Sequence, residues 1–219
     1  MKKIPVCLAI LLLVNAFFAR VEVKADFQTS AKAMCLIEKT TGREICSKNE
    51  DEKLPMASTT KIVTALTVLE NCDSLDEKFK VDDRAVGVPG TSIYLIKGEE
   101  LTVRELLYGM MLVSGNDAAT ALALHISNSI EDFCKLMQET ALKAGATNSS
   151  FSNPHGLDEE GHYTTAHDLA LIATKALQNP TFAEIVSTRE CKISGNEKNP
   201  VRYLKNKNKL LNTFQGATG

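Results

Sequence analysis

Residues 55–70 read PMASTTKIVTALTVLE, and the reading of this stretch decides the fold. Three hydroxyl residues, Ser58, Thr59 and Thr60, lead directly into Lys61 and then into an apolar series, Ile62, Val63, Ala65, Leu66, Val68 and Leu69. The pattern predicts a helix that opens near Ala57 and runs to Asn71. On such a helix Ser58 and Lys61 stand at i and i+3, on one face, with Cβ atoms roughly 5–6 Å apart. Two readings fit. In one, a hydroxyl caps the helix and Lys61 lays its stem along the surface to reach solvent. In the other, Ser58 is a nucleophile and Lys61 takes its proton, which requires desolvation or a nearby positive charge to bring the amine toward neutral pKa. A helix start also offers backbone N–H groups and a positive dipole end to a developing oxyanion.

Working outward, 219 residues with 44% apolar and 24% charged side chains make an ordinary globular composition, enough for one domain or one domain and a fragment. The start, MKKIPVCLAILLLVNAFFARVEVKADF, places two lysines before an apolar run from Ile4 to Phe18. That run is short for a membrane span and suits a secretory signal, with Val23 and Ala25 as small residues before cleavage after Ala25; an uncleaved anchor is the alternative. Residues 1–25 are therefore expected to be a signal peptide and 26–219 the working domain. Their removal takes away four basic residues and one acidic, and moves the net charge from −2 to −5. A negative chain argues against nucleic acid or an anionic membrane surface as main partner. Cys7 leaves with the signal, and the remaining Cys35, Cys46, Cys72, Cys134 and Cys191 are an odd set, unlike a disulfide framework. Cys35 and Cys46 flank an expected hairpin and are close enough in sequence to pair. With no C-x-x-C and no zinc-type histidine spacing, no metal is implied.

AMCLIEKTTGREICSK predicts a hairpin over about Met34–Ser47. Short extended pieces are expected near Phe79 and Ile93. Thr102 with Glu105 forms a capping box for a helix through Val113, Ser114-Gly115-Asn116 interrupts it, and a second helix follows. Ser129 caps another helix that ends at Gly145. Residues 146–165 lack periodicity, and a loop this long is usually functional or mobile. Thr165 and Asp168 open a further helix, Asn179-Pro180 a short one, and the remainder reads as edge strands and turns.

Ser58-x-x-Lys61 alone is a weak signal. Ser114-Gly115-Asn116, wedged between two apolar helices, reads as a buried junction, whereas the second Ser-Gly-Asn at Ser194 sits among polar residues and reads as an exposed turn. Together the two motifs resemble the penicillin-recognising serine enzymes, which carry S-x-x-K, then S-x-N, then K-T-G on a later strand. Within that group the sequence resembles the low-molecular-mass D-alanyl-D-alanine carboxypeptidases. PMASTTKIVTAL, LLYGMMLVSGNDAATALA, FSNPHGLDEEGHYTTAHDLALIA and NKNKLLNTFQGATG carry the likeness. Class A β-lactamases share the first two motifs but use a loop glutamate; Glu159 and Glu160 lie in the loop here without that motif, so a β-lactamase-like hydrolase ranks lower.

The resemblance implies an α+β fold of the β-lactamase/transpeptidase type, a helical cluster packed on an antiparallel sheet. It implies Ser58 as the acylated nucleophile, Lys61 as its base, Ser114 as proton relay and Asn116 as substrate-binding residue. His155 is a candidate to face the site and Asp168 to orient the loop, although capping by Thr165 and Asp168 is the preferred reading. His125, His162 and His167 are assigned no part. The implied reaction is removal of the terminal D-alanine from peptidoglycan stem peptides, without a cofactor, at the outer face of the cell membrane, in the periplasm or in the cell wall, with β-lactams as inhibitors. The sequence stops at Gly219 before any K-T-G; Lys39–Gly42, KTTG, lies in the hairpin turn and is no substitute. The expectation is a truncated N-terminal part, with later strands and a C-terminal membrane anchor beyond it, and a non-catalytic remnant as the competing reading.

Overall fold

The computed structural model describes residues 29–197 and 200–219; the expected signal peptide lies outside them. The chain divides into two units, residues 1–30 and 31–219, and the helices and strands among the described residues all lie in the second. The hydroxyl-rich start of the decisive stretch is a 3-10 turn, Ala57–Thr59, that passes into helix α1, Thr60–Asn71. Eight positions of α1 are buried, polar Thr60, Lys61, Thr64 and Thr67 among them. A helix covered on all sides belongs in a core, and α1 is ringed by other helices.

Those neighbours are α2 (Val103–Val113), α3 (Asn116–Ile126), α4 (Ile130–Lys143), α5 (Ala166–Ala176) and α6 (Pro180–Ser187). A short α7, Leu210–Thr213, comes last. Leu106, Leu107 and Met110 of α2, Leu122 of α3, and Phe133 and Met137 of α4 are fully enclosed, each burial contributing about 1.5–3 kcal/mol. The helix starts follow local chemistry. Thr102 Oγ1 accepts from Glu105 N–H at 3.1 Å while Glu105 returns a carboxylate oxygen to Thr102 N–H at 3.0 Å, the reciprocal box that satisfies two orphan donors. Ser129 caps α4, and Asn179 caps α6 ahead of Pro180.

The strands form three separate two-stranded antiparallel ladders among the described residues: β1 (Met34–Ile37) with β2 (Glu44–Lys48), β3 (Lys78–Lys80) with β4 (Glu100–Thr102), and β5 (Glu190–Ser194) with β6 (Val201–Lys205). The α+β class and the first hairpin are as expected. β1 packs on α5, and β5 and β6 pack on α2. In the β1–β2 register Cys35 faces Ser47 and Leu36 faces Cys46. Successive side chains point to opposite faces, so Cys35 and Cys46 lie on opposite sides of the ladder and are free thiols; the pairing considered from sequence does not form. The second Ser-Gly-Asn ends β5, where Gly195 N–H meets Pro200 O.

Phe79 lies in β3, but Ile93 is not in a strand. Its N–H and that of Leu95 donate to the buried Asp117 carboxylate at 3.0 Å each, which leaves no ladder for them to join. Arg202 of β6 clamps the same loop from the other side. It donates to Ile93 O, Tyr94 O and Ser194 O and forms a two-pronged ion pair with buried Glu99, at 2.6 and 2.9 Å. Every N–H of that guanidinium is matched by an acceptor, the condition under which a buried pair is tolerated. No helix among the described residues is long and apolar enough to cross a membrane.

Candidate active site

Ser58 sits in the 3-10 turn and is exposed, whereas Lys61, one turn on, is only 2% exposed. Lys61 Nζ lies 3.2 Å from Ser58 Oγ, 2.8 Å from Asn116 Oδ1 and 2.6 Å from the His155 carbonyl oxygen. Burial is the main cause that pulls its pKa down to about 8, and the Lys207 ammonium adds to it. Lys207 follows β6, its N–H anchored on Leu112 O; sequence reasoning gave it no part, since a lone lysine in a polar run carries no local signal.

Ser114 closes the opposite side. Its hydroxyl lies 2.9 Å from Ser58 Oγ. It ends α2 in the left-handed conformation, φ 66° and ψ 39°, a place glycine usually takes. Such strain persists only where surroundings fix it, and here Gly115 N–H bonds back to Gly109 O while Asn116 N–H bonds to Thr91 O. Asn116 begins α3. Its amide nitrogen donates to Pro89 O at 2.7 Å and its oxygen faces Lys61, so both ends of the amide are engaged within the protein. Gly90 lies against that amide, where a Cβ would stand 2.6 Å from Nδ2.

The aperiodic loop forms the third wall. Asn153 organises it: its oxygen accepts from His155 and Gly156 N–H, and its nitrogen donates to Leu157 O and to Glu159. Thr64 Oγ1 of α1 holds Pro154 O at 2.7 Å. His155 reaches the site through its backbone; its ring nitrogen Nδ1 accepts from Leu157 N–H, and burial, with Lys61 nearby, holds its pKa down at about 4. Glu159 and Glu160 have no hydrogen bond to Ser58 or Lys61 among the described residues.

Asp168 takes part in both of the arrangements expected from sequence. Thr165 Oγ1 caps the helix by accepting from Asp168 N–H, but the buried Asp168 carboxylate accepts from Asn148 N–H at 2.6 Å and Ser149 Oγ at 2.7 Å. The side chain ties down the loop's start, and only the backbone serves the cap. His125, left without a part, stacks on Phe79 with ring centroids 3.6 Å apart. His162 is buried beneath the Ser58 turn, bonded to Thr60.

This arrangement of helices and small antiparallel sheets is the penicillin-binding, transpeptidase-like fold. The chain overlays the D-alanyl-D-alanine carboxypeptidase from Mycobacterium tuberculosis H37Rv with a TM-score of 0.84 at 29% identity, covering 90% of this chain and 75% of that one. It overlays the Streptomyces K15 DD-transpeptidase with a TM-score of 0.78 at 33% identity, covering 88% and 80%. Residues 19–218 match the D-alanyl-D-alanine carboxypeptidase family, and the chain belongs to it. It is 38% identical to the D-alanyl-D-alanine carboxypeptidase DacF of Bacillus subtilis over 89% of this chain and 51% of that protein. It is 35% identical to DacC of Escherichia coli over 90% and 50%. The chain thus spans about half the length of these curated relatives.

Proposed function

We propose that the protein is an exported serine-type D-alanyl-D-alanine carboxypeptidase that trims the terminal D-alanine from peptidoglycan stem peptides through an acyl-enzyme on Ser58. The observation that carries the reading is the set of acceptors around Lys61. In the ammonium, Asn116 Oδ1, the His155 carbonyl and Ser58 Oγ each face one hydrogen; in the neutral amine the first two keep theirs and the tetrahedral position toward Ser58 Oγ, at 3.2 Å, is left open. That position is the nitrogen lone pair, the group a general base needs.

Ser58 Oγ gives its proton to Lys61 and attacks the carbonyl carbon of the penultimate D-alanine. The Ser58 N–H, in the 3-10 turn ahead of α1, would serve as a donor to the resulting oxyanion. The C–N bond breaks as the leaving amine takes a proton, passed from Lys61 through the Ser114 hydroxyl, and D-alanine departs. Water then attacks the ester carbonyl and gives a proton to the same base. The shortened peptide leaves with a free carboxylate, and Ser58 regains its hydrogen. Asn116 keeps the amine aimed, and the second hydrogen of its amide nitrogen, beyond the one given to Pro89 O, is the one it can offer a substrate carbonyl. A penicillin presents a strained amide to the same serine, and its ring opening leaves a Ser58 ester. The family relationship supports the substrate class, and a peptidoglycan substrate would put the work at the outer face of the membrane, in the periplasm or in the cell wall.

The test is D-alanine release from a D-Ala-D-Ala pentapeptide, with intact mass after labelled penicillin. Wild type should release D-alanine and gain one adduct; Ser58→Ala should do neither. Release that survives in Ser58→Ala overturns the assignment.

A further inference from the structure

The loop that supplies the His155 carbonyl also carries His162, which acylation and deacylation leave unused. The side chain is 5% exposed and bonded at both ring nitrogens. Ser152 N–H lies 3.0 Å from Nδ1, Nε2 lies 2.9 Å from Thr60 Oγ1, and Thr60 Oγ1 lies 2.7 Å from Ala57 O. A backbone N–H only donates, so Nδ1 carries no hydrogen and the neutral ring holds its hydrogen on Nε2. Each link then has one direction: Ser152 to the ring, the ring to Thr60, Thr60 to the Ala57 carbonyl.

Ala57 is the residue before Ser58, and its φ is 47°. A residue with a Cβ adopts that conformation only where its surroundings impose it. The loop presses on the same carbonyl. A Cβ on Gly156 would stand 1.9 Å from Ala57 O and 2.8 Å from Thr60 Oγ1, so Thr60 and Gly156 hold this one oxygen between them.

We propose that His162 is a positioning residue for Ser58: as the neutral Nε2–H tautomer it holds, through Thr60, the left-handed Ala57 turn that presents the nucleophile, and protonation of the ring releases that turn. The inference rests on the Ser58 acyl-enzyme reading. A second ring hydrogen would set Nδ1–H against Ser152 N–H, donor against donor, and one side must move. Several groups face the ring. Glu159 and Asp158 on the loop favour the cation, burial opposes it and dominates, and the pKa is lowered from the ordinary imidazole value. His155 is the neighbouring titratable ring, α1 contributes the uncharged Thr60, and Phe151 stands edge-on at 6.3 Å.

The test uses the full-length protein. Acylation of Ser58 by labelled penicillin is followed against pH in wild type, His162→Gln and His162→Ala, and imidazole nitrogen NMR reads the tautomer of wild type. Gln reproduces a side-chain N–H toward Thr60 but does not titrate. Wild type should lose rate with one proton as Lys61 is protonated, then steepen to two when His162 is. Gln should stay within about threefold of wild type at neutral pH and lack the second bend, whereas Ala, one hydrogen bond short, should also lack the bend but run about tenfold below Gln at every pH. The NMR should show Nε2–H, with the Ser152 amide titrating together with the ring. An Nδ1–H tautomer, a second bend that persists in Gln, or an Ala variant as fast as wild type overturns the proposal. A wild type that is never acylated sinks the Ser58 reading instead, and the tautomer with its joint Ser152 titration then decides the His162 arrangement alone.

Discussion

Lys61 meets His155 at the backbone, Nζ to carbonyl oxygen, at 2.6 Å. The contact is indifferent to the imidazole, so the loop's path and not its side chain sets the lysine's third neighbour. The amine's burial and the Lys207 charge bring it to about 8. A base must be unprotonated to work, and the protonated-to-neutral ratio grows tenfold for each pH unit below that value. Acylation should therefore plateau above pH 8 and fall on acidification, and Lys61→Arg, which cannot lose its proton, should cost about 10²–10⁴ in acylation rate. Stopped-flow acylation across pH checks both.

Asn116→Asp would replace a neutral acceptor by a carboxylate at the same distance from Lys61. An opposite charge so close favours the ammonium, and the acylation profile should move to higher pH by roughly 1–3 units. An unmoved profile would mean that Lys61 is not the group being titrated.

Gly156→Ala tests the contact between loop and turn. Its Cβ would overlap Ala57 O, and φ there is +92°, where a side chain adds strain. The expected loss is about 1–3 kcal/mol of stability from overpacking alone, read by urea denaturation, together with slower acylation because the displaced carbonyl belongs to the residue before Ser58. A variant as stable as wild type but poorly acylated would separate the two effects.

Thr165→Ala and Asp168→Ala separate capping from loop anchoring. Loss of the cap should cost about 1 kcal/mol. Loss of the carboxylate removes the acceptor of the buried Ser149 Oγ and of the Asn148 N–H, at about 1–3 kcal/mol for the buried group. Equal losses in thermal denaturation would contradict this division.

What the sequence discloses depends on how local each cause is. The caps at Thr102, Ser129 and Asn179 act within three residues, and the structure has all three. The apolar run after Lys61 announces a buried helix by its own periodicity. Ile93 misleads because its N–H is claimed by Asp117, 24 residues on. His162 is illegible for the same reason: Thr60 is 102 residues earlier, and nothing in GHYTT marks the ring as facing it. Ser58, Lys61, Ser114 and Asn116 were readable as a group only because two short motifs stand in a familiar order, and the structure brings them within hydrogen-bond reach.

The alternating faces of the first hairpin carry a consequence for stability. Cys35 and Cys46 are neighbours in register but turned away from each other, and Cys72, Cys134 and Cys191 are free as well. Among the described residues the architecture therefore owes nothing to covalent cross-links. Urea denaturation with and without a thiol reductant should therefore give the same midpoint.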